Sequence, residues 1–196
     1  MEILAKADER ALLWLNGWAG RWPWLDALAQ TVASDYLVPV AMGLMLLALW
    51  FTGGTPWDRE RRQRSVFTAL AGLTMASWVV LELNKVLFRP RPFQTLDLTL
   101  LFYRPVDSSF PANPAAVVFA IAAGVWLKDR RSGTALAAVG ALYSLSRVYV
   151  GVFYPSDVLG GAAIGVATAL LSALVLRWLE PLPRLLLRVA RAIFLA

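Results

Sequence analysis

Five cations in this chain ask for a local explanation: Lys85, Arg89, Arg91, Arg104 and Arg147. Arg147 and Asp157 lie near the end of an apolar segment, in the run Ser146-Arg147-Val148-Tyr149-Val150-Gly151-Val152-Phe153-Tyr154-Pro155-Ser156-Asp157. Charges in such a place are costly and are functional candidates by default. Lys85, Arg89 and Arg91 close an earlier apolar segment. An arginine fork pairs two oxygens of a phosphate or carboxylate, and a lysine adds a point charge. Cations gathered without an anion repel, so the chemistry they suit is holding a phosphate, a sulfate or a carboxylate such as Asp157. A nucleophile is harder to find. Ser146, Tyr149, Tyr154 and Ser156 carry hydroxyls, but none stands next to a base. The chain has no histidine and no cysteine. That removes the commonest general acid–base and metal ligand, together with all thiol chemistry. No metal or other cofactor is expected.

Plainer readings exist for each residue. Lys85 and Arg89, taken alone, are helix-end cations reaching for headgroups. Asp157, taken alone, caps the helix that follows it. Arg147 arriving from a different helix favours a shared anion site.

The elements that must position these residues are apolar. Of 196 residues 59% are hydrophobic and only 16% charged, with a mean hydropathy of +0.59. A soluble domain of this length has no interior for so much apolar surface, so a membrane is the expected solvent. One bundle of helices fits the length, making 1–196 a single membrane domain. The net charge is +6. The basic residues sit at the ends of apolar runs, which suits lipid headgroups and orientation and speaks against a nucleic-acid partner.

Residues 1–20 repeat apolar positions at helical spacing and read as an amphipathic helix, lying in the interface or dipping into it. A first span ends at Phe51 and begins between Trp24 and Asp35. Asp58 to Arg64 is a charge run. Further spans are expected over 65–88, 112–127, 133–153 and 156–178, with the longest loop over 93–110. The tail 181–196 places Arg184, Arg188 and Arg191 on one helical face and should lie on the membrane surface. The fold class is therefore all-α: an integral membrane helical bundle of five spans, with the N-terminal helix left open between a sixth span and an interfacial position. Gly160, Gly161, Ala162, Ala163 and Gly165 open the last span, and small residues let helix backbones approach closely. Alternating spans put the arginines of 59–64, Lys128 to Arg131 and the tail on one side, the cytoplasmic side by the positive-inside rule. The five cations named first then gather on the extracytoplasmic side of the cell membrane.

Ser146, Arg147 and Asp157 stand where the third signature of the type-2 phosphatidic acid phosphatase family has Ser-Arg and, after its histidine, Asp. The chain resembles that family, whose superfamily includes vanadate haloperoxidases, over about residues 65–180. The position of the nucleophilic histidine holds Phe153. The first signature is Lys, six residues, Arg-Pro; Lys85 has five before Arg91-Pro92 and three before Arg89-Pro90, so Arg89 competes with Arg91 for the arginine role. The second signature is Pro-Ser-Gly-His, and Pro111-Ala112-Asn113-Pro114 occupies its place. The general-acid position is thus Pro114, and Ala112 and Asn113 stand in the turn that cradles phosphate. The resemblance implies phosphate binding by Lys85, Arg89, Arg91, Ala112, Asn113, Ser146 and Arg147, with Asp157 as the orienting carboxylate and no metal. It implies a membrane lipid phosphate or isoprenoid phosphate as partner. With both histidine positions replaced, the expected function is a catalytically inactive relative that keeps an extracytoplasmic anion pocket for binding, transport or sensing. The alternatives are an active lipid phosphate or isoprenoid pyrophosphate phosphatase with an altered nucleophile, and a structural membrane subunit.

Overall fold

The computed structural model describes residues 2–181 and Leu185. The helices described in full are α1 (Glu2–Asn16), α2 (Pro23–Ala33), α3 (Leu37–Phe51), α4 (Pro56–Val86), α5 (Pro92–Thr95), α6 (Asn113–Trp126), α7 (Arg130–Tyr149) and α8 (Pro155–Trp178). The tail expected to lie on the membrane falls, beyond Pro181 and Leu185, outside the described residues.

Proline sets several of the starts. Pro23, Pro56, Pro92, Pro114 and Pro155 each occupy a first-turn position, where the missing N–H costs nothing and the fixed φ is already helical. The charge run Asp58 to Arg64 is part of α4, which begins at Pro56 and not near Ser65. Thr55 caps it by accepting from the Asp58 N–H at 3.1 Å. The pairs Asp58–Arg62 and Glu60–Arg64, one turn apart, then carry the run as helix.

Helix α6 is central, packed against α4, α7 and α8. Its buried Ala116, Val118, Ala120 and Val125 face all three. The approach of α8 needs glycine. A Cβ on Gly161 would stand 2.3 Å from the Ala112 carbonyl oxygen, and one on Gly165 2.2 Å from that of Ala116. The backbones of α6 and α8 therefore touch near their N-termini, and Ala112 N–H donates to the Asp157 carbonyl at 3.1 Å. The C-terminal ends of α4 and α7 come to this same end of the bundle.

Helices α4 and α8 are each long and apolar enough to cross a bilayer, and α2 with α3 makes a third candidate as a span bent by 52°. The bend falls at Ser34 to Tyr36. α6 is apolar but has only 14 residues, about 21 Å of helix against a hydrocarbon core of about 30 Å. α1 has 15 residues and is pinned to the bundle by polar contacts. The Asn16 amide donates to the carbonyls of Thr99 and Tyr149, both at 2.8 Å, and accepts from Thr99 N–H at 3.0 Å. Leu12 is fully buried beneath it.

Candidate anion pocket

At the end where α6 and α8 begin lies a cavity of about 180 Å³, bordered by Asn84, Arg91, Asn113, Pro114, Arg147 and Phe153, with Asp35, Tyr103 and Asp107 at its edge. Its volume suits one phosphoryl group and some water. Arg91 and Arg147 are its cations, 2% and 3% exposed. Arg91 follows α4 and introduces the Pro92 turn. Arg147 occupies the last turn of α7, where a cation complements the helix dipole.

Each guanidinium is held by a ring and by oxygens. Arg91 lies 4.4 Å over the Phe153 ring. It donates to the Val152 carbonyl at 3.1 Å, the Asp107 carbonyl at 3.1 Å and the Asp107 carboxylate at 2.8 Å. Arg147 lies 5.0 Å from both the Phe102 and Tyr143 rings. It donates to the Tyr143 hydroxyl at 2.9 Å and to the Asp35 carboxylate. Its Nε is buried and has no partner. The Asn84 side-chain oxygen is likewise buried and unpaired. The buried cations are thus matched to more exposed carboxylates, Asp107 at 64% and Asp35 at 42% side-chain exposure. Tyr103 steadies Asp35 with a 2.9 Å hydrogen bond. Burial and that bond push the Tyr103 phenol above its ordinary pKa, so it remains a donor.

The expected cluster of Lys85, Arg91 and Arg147 does not form. Lys85 is 59% exposed and pairs with Glu82 at 2.7 Å on the outside of α4. A helix turns roughly 100° per residue, so α4 presents Asn84 to the cavity and carries Lys85 past it. Arg89 also stays off the cavity wall. It lies 4.0 Å over Tyr154 and donates to Asp157 at 2.6 Å, Ser156 at 2.7 Å and Asp8 at 2.8 Å. Burial opposes its charge, but the Asp8 hydrogen bond and the Asp157 charge outweigh that and raise its pKa.

Asp157 therefore pairs with Arg89, not with Arg147 or Lys85. It is fully buried and also accepts from Ser109 and from Tyr154 N–H at 2.9 Å, the latter bond closing the first turn of α8. Ser146 bonds back to the Leu142 carbonyl at 2.9 Å, as helical serines do, and is not on the cavity wall. Ala112 is buried at the N-cap of α6, and Asn113 and Pro114 reach the cavity. Phe153 and Pro114 line the cavity and offer it only carbon. Behind them sits Ser144, its hydroxyl buried without a partner, in a space with no room for a water. Asp35, Asn84 and Tyr103 are the wall residues that motif reading missed. A carboxylate at position 35, between two apolar runs, was the available signal.

The arrangement can bind and orient an anion. A helix N-terminus, two guanidinium groups and an unpaired Nε point to one small cavity. Its wall supplies no imidazole and no thiol.

Comparison with known proteins identifies the family. The model of the PAP2 superfamily matches residues 65–181. Undecaprenyl-diphosphatase BcrC of Bacillus subtilis is 32% identical over 86% of this chain and 84% of its own length. The putative undecaprenyl-diphosphatase YbjG of Escherichia coli is 30% identical over 78% of this chain and 74% of its own. Among solved structures, LpxE of Aquifex aeolicus superposes with a TM-score of 0.66 at 25% identity, over 83% of this chain and 92% of that one. With a matching family model over more than half its length and membrane helices of the same arrangement, the chain belongs to the PAP2 superfamily.

Proposed function

We propose that the pocket between Arg91 and Arg147 receives the phosphate end of a membrane lipid, of the polyprenyl diphosphate class for which the relatives are named, and holds it without hydrolysing it. The observation that carries this reading is the pair of buried guanidinium groups on one cavity, each held by a carboxylate that solvent can reach. A phosphate can replace those carboxylates without leaving either cation unpaired. Absence of turnover follows from the side chains at the two histidine positions. Phe153 offers a ring face to Arg91 and no nucleophilic atom, and Pro114 has no proton to give. The basic-loop pattern supports placing the pocket on the extracytoplasmic side.

A second reading is an active phosphatase with a different nucleophile. It fits the similarity to the diphosphatases at least as well. One experiment separates the two. Purified protein in phosphatidylcholine nanodiscs is given a polyprenyl diphosphate, and bound ligand and released phosphate are both measured. Saturable binding without phosphate release is the expected result. Release that is lost in Arg147→Ala establishes the active reading instead. No saturable binding at all leaves a structural role.

A further inference from the structure

At the far end of the bundle, away from the anion pocket, α4, α6 and α8 enclose a second cavity of about 500 Å³. Its rim carries Arg64, Lys128 and Arg177, one from α4, one from the end of α6 and one from the end of α8, with Glu180 as the carboxylate among them. Arg64 is committed, bonded to Glu180 at 3.0 Å and to Glu60 at 3.0 Å. Lys128 and Arg177 form no ion pair with a described residue. The cavity floor is apolar, with Phe67, Leu170 and Leu174. From that floor an open groove of about 550 Å³ runs on along α4, over Phe67, Leu70, Ala71, Thr74 and Trp78. The cavity and the groove share Phe67 and Leu176.

These positions recur at helical spacing along one face, so the groove is straight and lies parallel to α4. From Phe67 to Trp78 it extends about 16 Å at the rise of an α-helix. One leaflet of a hydrocarbon core is about 15 Å deep. Cations at the rim and one leaflet's depth of apolar groove below them match the polarity of an anionic glycerophospholipid. The charge excess at the rim selects an anionic head over a zwitterionic one, because basic side chains near the membrane surface attract anionic lipids.

We infer that this chain holds an anionic phospholipid of the leaflet at its basic end, with the headgroup phosphate between Lys128 and Arg177 and an acyl chain along the Phe67–Trp78 face of α4. The site is separate from the anion pocket and stands whether or not that pocket turns its ligand over. Its occupant is structural: it seats α4 against α8 where their basic ends meet.

The test uses the full-length protein, delipidated in detergent, and native mass spectrometry to count retained phosphatidylglycerol against phosphatidylcholine of the same chains. The unmodified protein should retain one phosphatidylglycerol selectively. The double variant Lys128→Gln with Arg177→Gln should weaken that retention roughly twenty-fivefold, at about fivefold per cation removed. The control pair Arg130→Gln with Arg131→Gln, basic residues of the same end that do not line the cavity, should leave it nearly unchanged. Ala71→Trp, which fills the groove without touching a charge, should also weaken it, and inorganic phosphate should not displace the lipid. Equal losses from the two charge pairs would reduce the effect to general surface attraction and overturn the inference. So would a lack of preference for phosphatidylglycerol, the result expected if another segment of this chain or a second protein fills the cavity.

Discussion

Asp35, at the bend between α2 and α3, accepts a hydrogen bond from Arg147. The carboxylate is nearly half exposed and Arg147 is buried. Under the proposed function the carboxylate competes with the lipid phosphate for Arg147. Asp35→Asn should tighten binding of a polyprenyl diphosphate by about two- to fivefold, the scale of an exposed ion pair. Calorimetric titration measures it. Weaker binding in the variant would instead make Asp35 a residue that orients Arg147.

Arg147→Ala should lower the same affinity by at least about thirtyfold, since truncating a buried, hydrogen-bonded charge at a binding site costs about 2–5 kcal/mol. Asn84→Leu should lower it by less, through loss of a polar wall. Lys85→Gln should leave it unchanged, because Lys85 faces outward and pairs with Glu82. An effect of Lys85→Gln as large as that of Arg147→Ala would mean that the lysine swings into the pocket when ligand binds.

The unmodified chain should release no phosphate above background. Phe153→His alone should give little, because Pro114 still lacks a proton to donate and acid–base assistance is typically worth about 10²–10⁴ in rate. Phe153→His and Pro114→His together with Ala112→Ser and Asn113→Gly should give the most. Phosphate release by the single and the combined variants, compared in one assay, checks the order. Turnover in the unmodified protein would end the inactive reading.

Asp157 should matter for folding whatever the chemistry. It is fully buried and serves Arg89, Ser109 and the first turn of α8 at once. Asp157→Ala leaves those donors unsatisfied and should destabilise the protein by about 3–5 kcal/mol. Reversible unfolding in mixed micelles reads the change. A loss below about 1 kcal/mol would show that water or a shifted Asp8 replaces it.

The absence of cysteine makes topology testable with single substitutions. Cysteines at Asp97, in the loop that follows α5, and at Arg131, in the first turn of α7, should label from opposite sides of intact cells. A membrane-impermeant maleimide should reach only position 97 from outside. Equal labelling of both would reject the orientation.

Much of the frame could be read from the residues. Proline at helix starts and the small residues after Asp157 mark where helices begin and touch. The start of α4 escaped because Asp58 to Arg64 reads as a solvated charge run, and only the pairing of residues one turn apart makes it helix. The site was harder. Motif spacing counts residues, whereas a helix end delivers an angle, and α4 turns Asn84 to the cavity and Lys85 outward. Asn84 carries no charge to attract notice. Asp35 marked only the latest possible start of the first span, and the bend that exposes it is a tertiary fact. Arg89 and Arg91 are chemically alike in sequence. The positions of Asp8 on α1 and Asp157 on α8 commit Arg89 to structure.

The contact of Gly161 and Gly165 with the carbonyls of Ala112 and Ala116 is made by main-chain atoms. Nothing at positions 114 or 153 takes part in it. The scaffold and the reactive surface therefore reside in different sets of atoms, and substitution can rewrite one while the other is untouched. Whatever groups face the pocket, any side chain beyond hydrogen at either glycine would wedge the two helices apart.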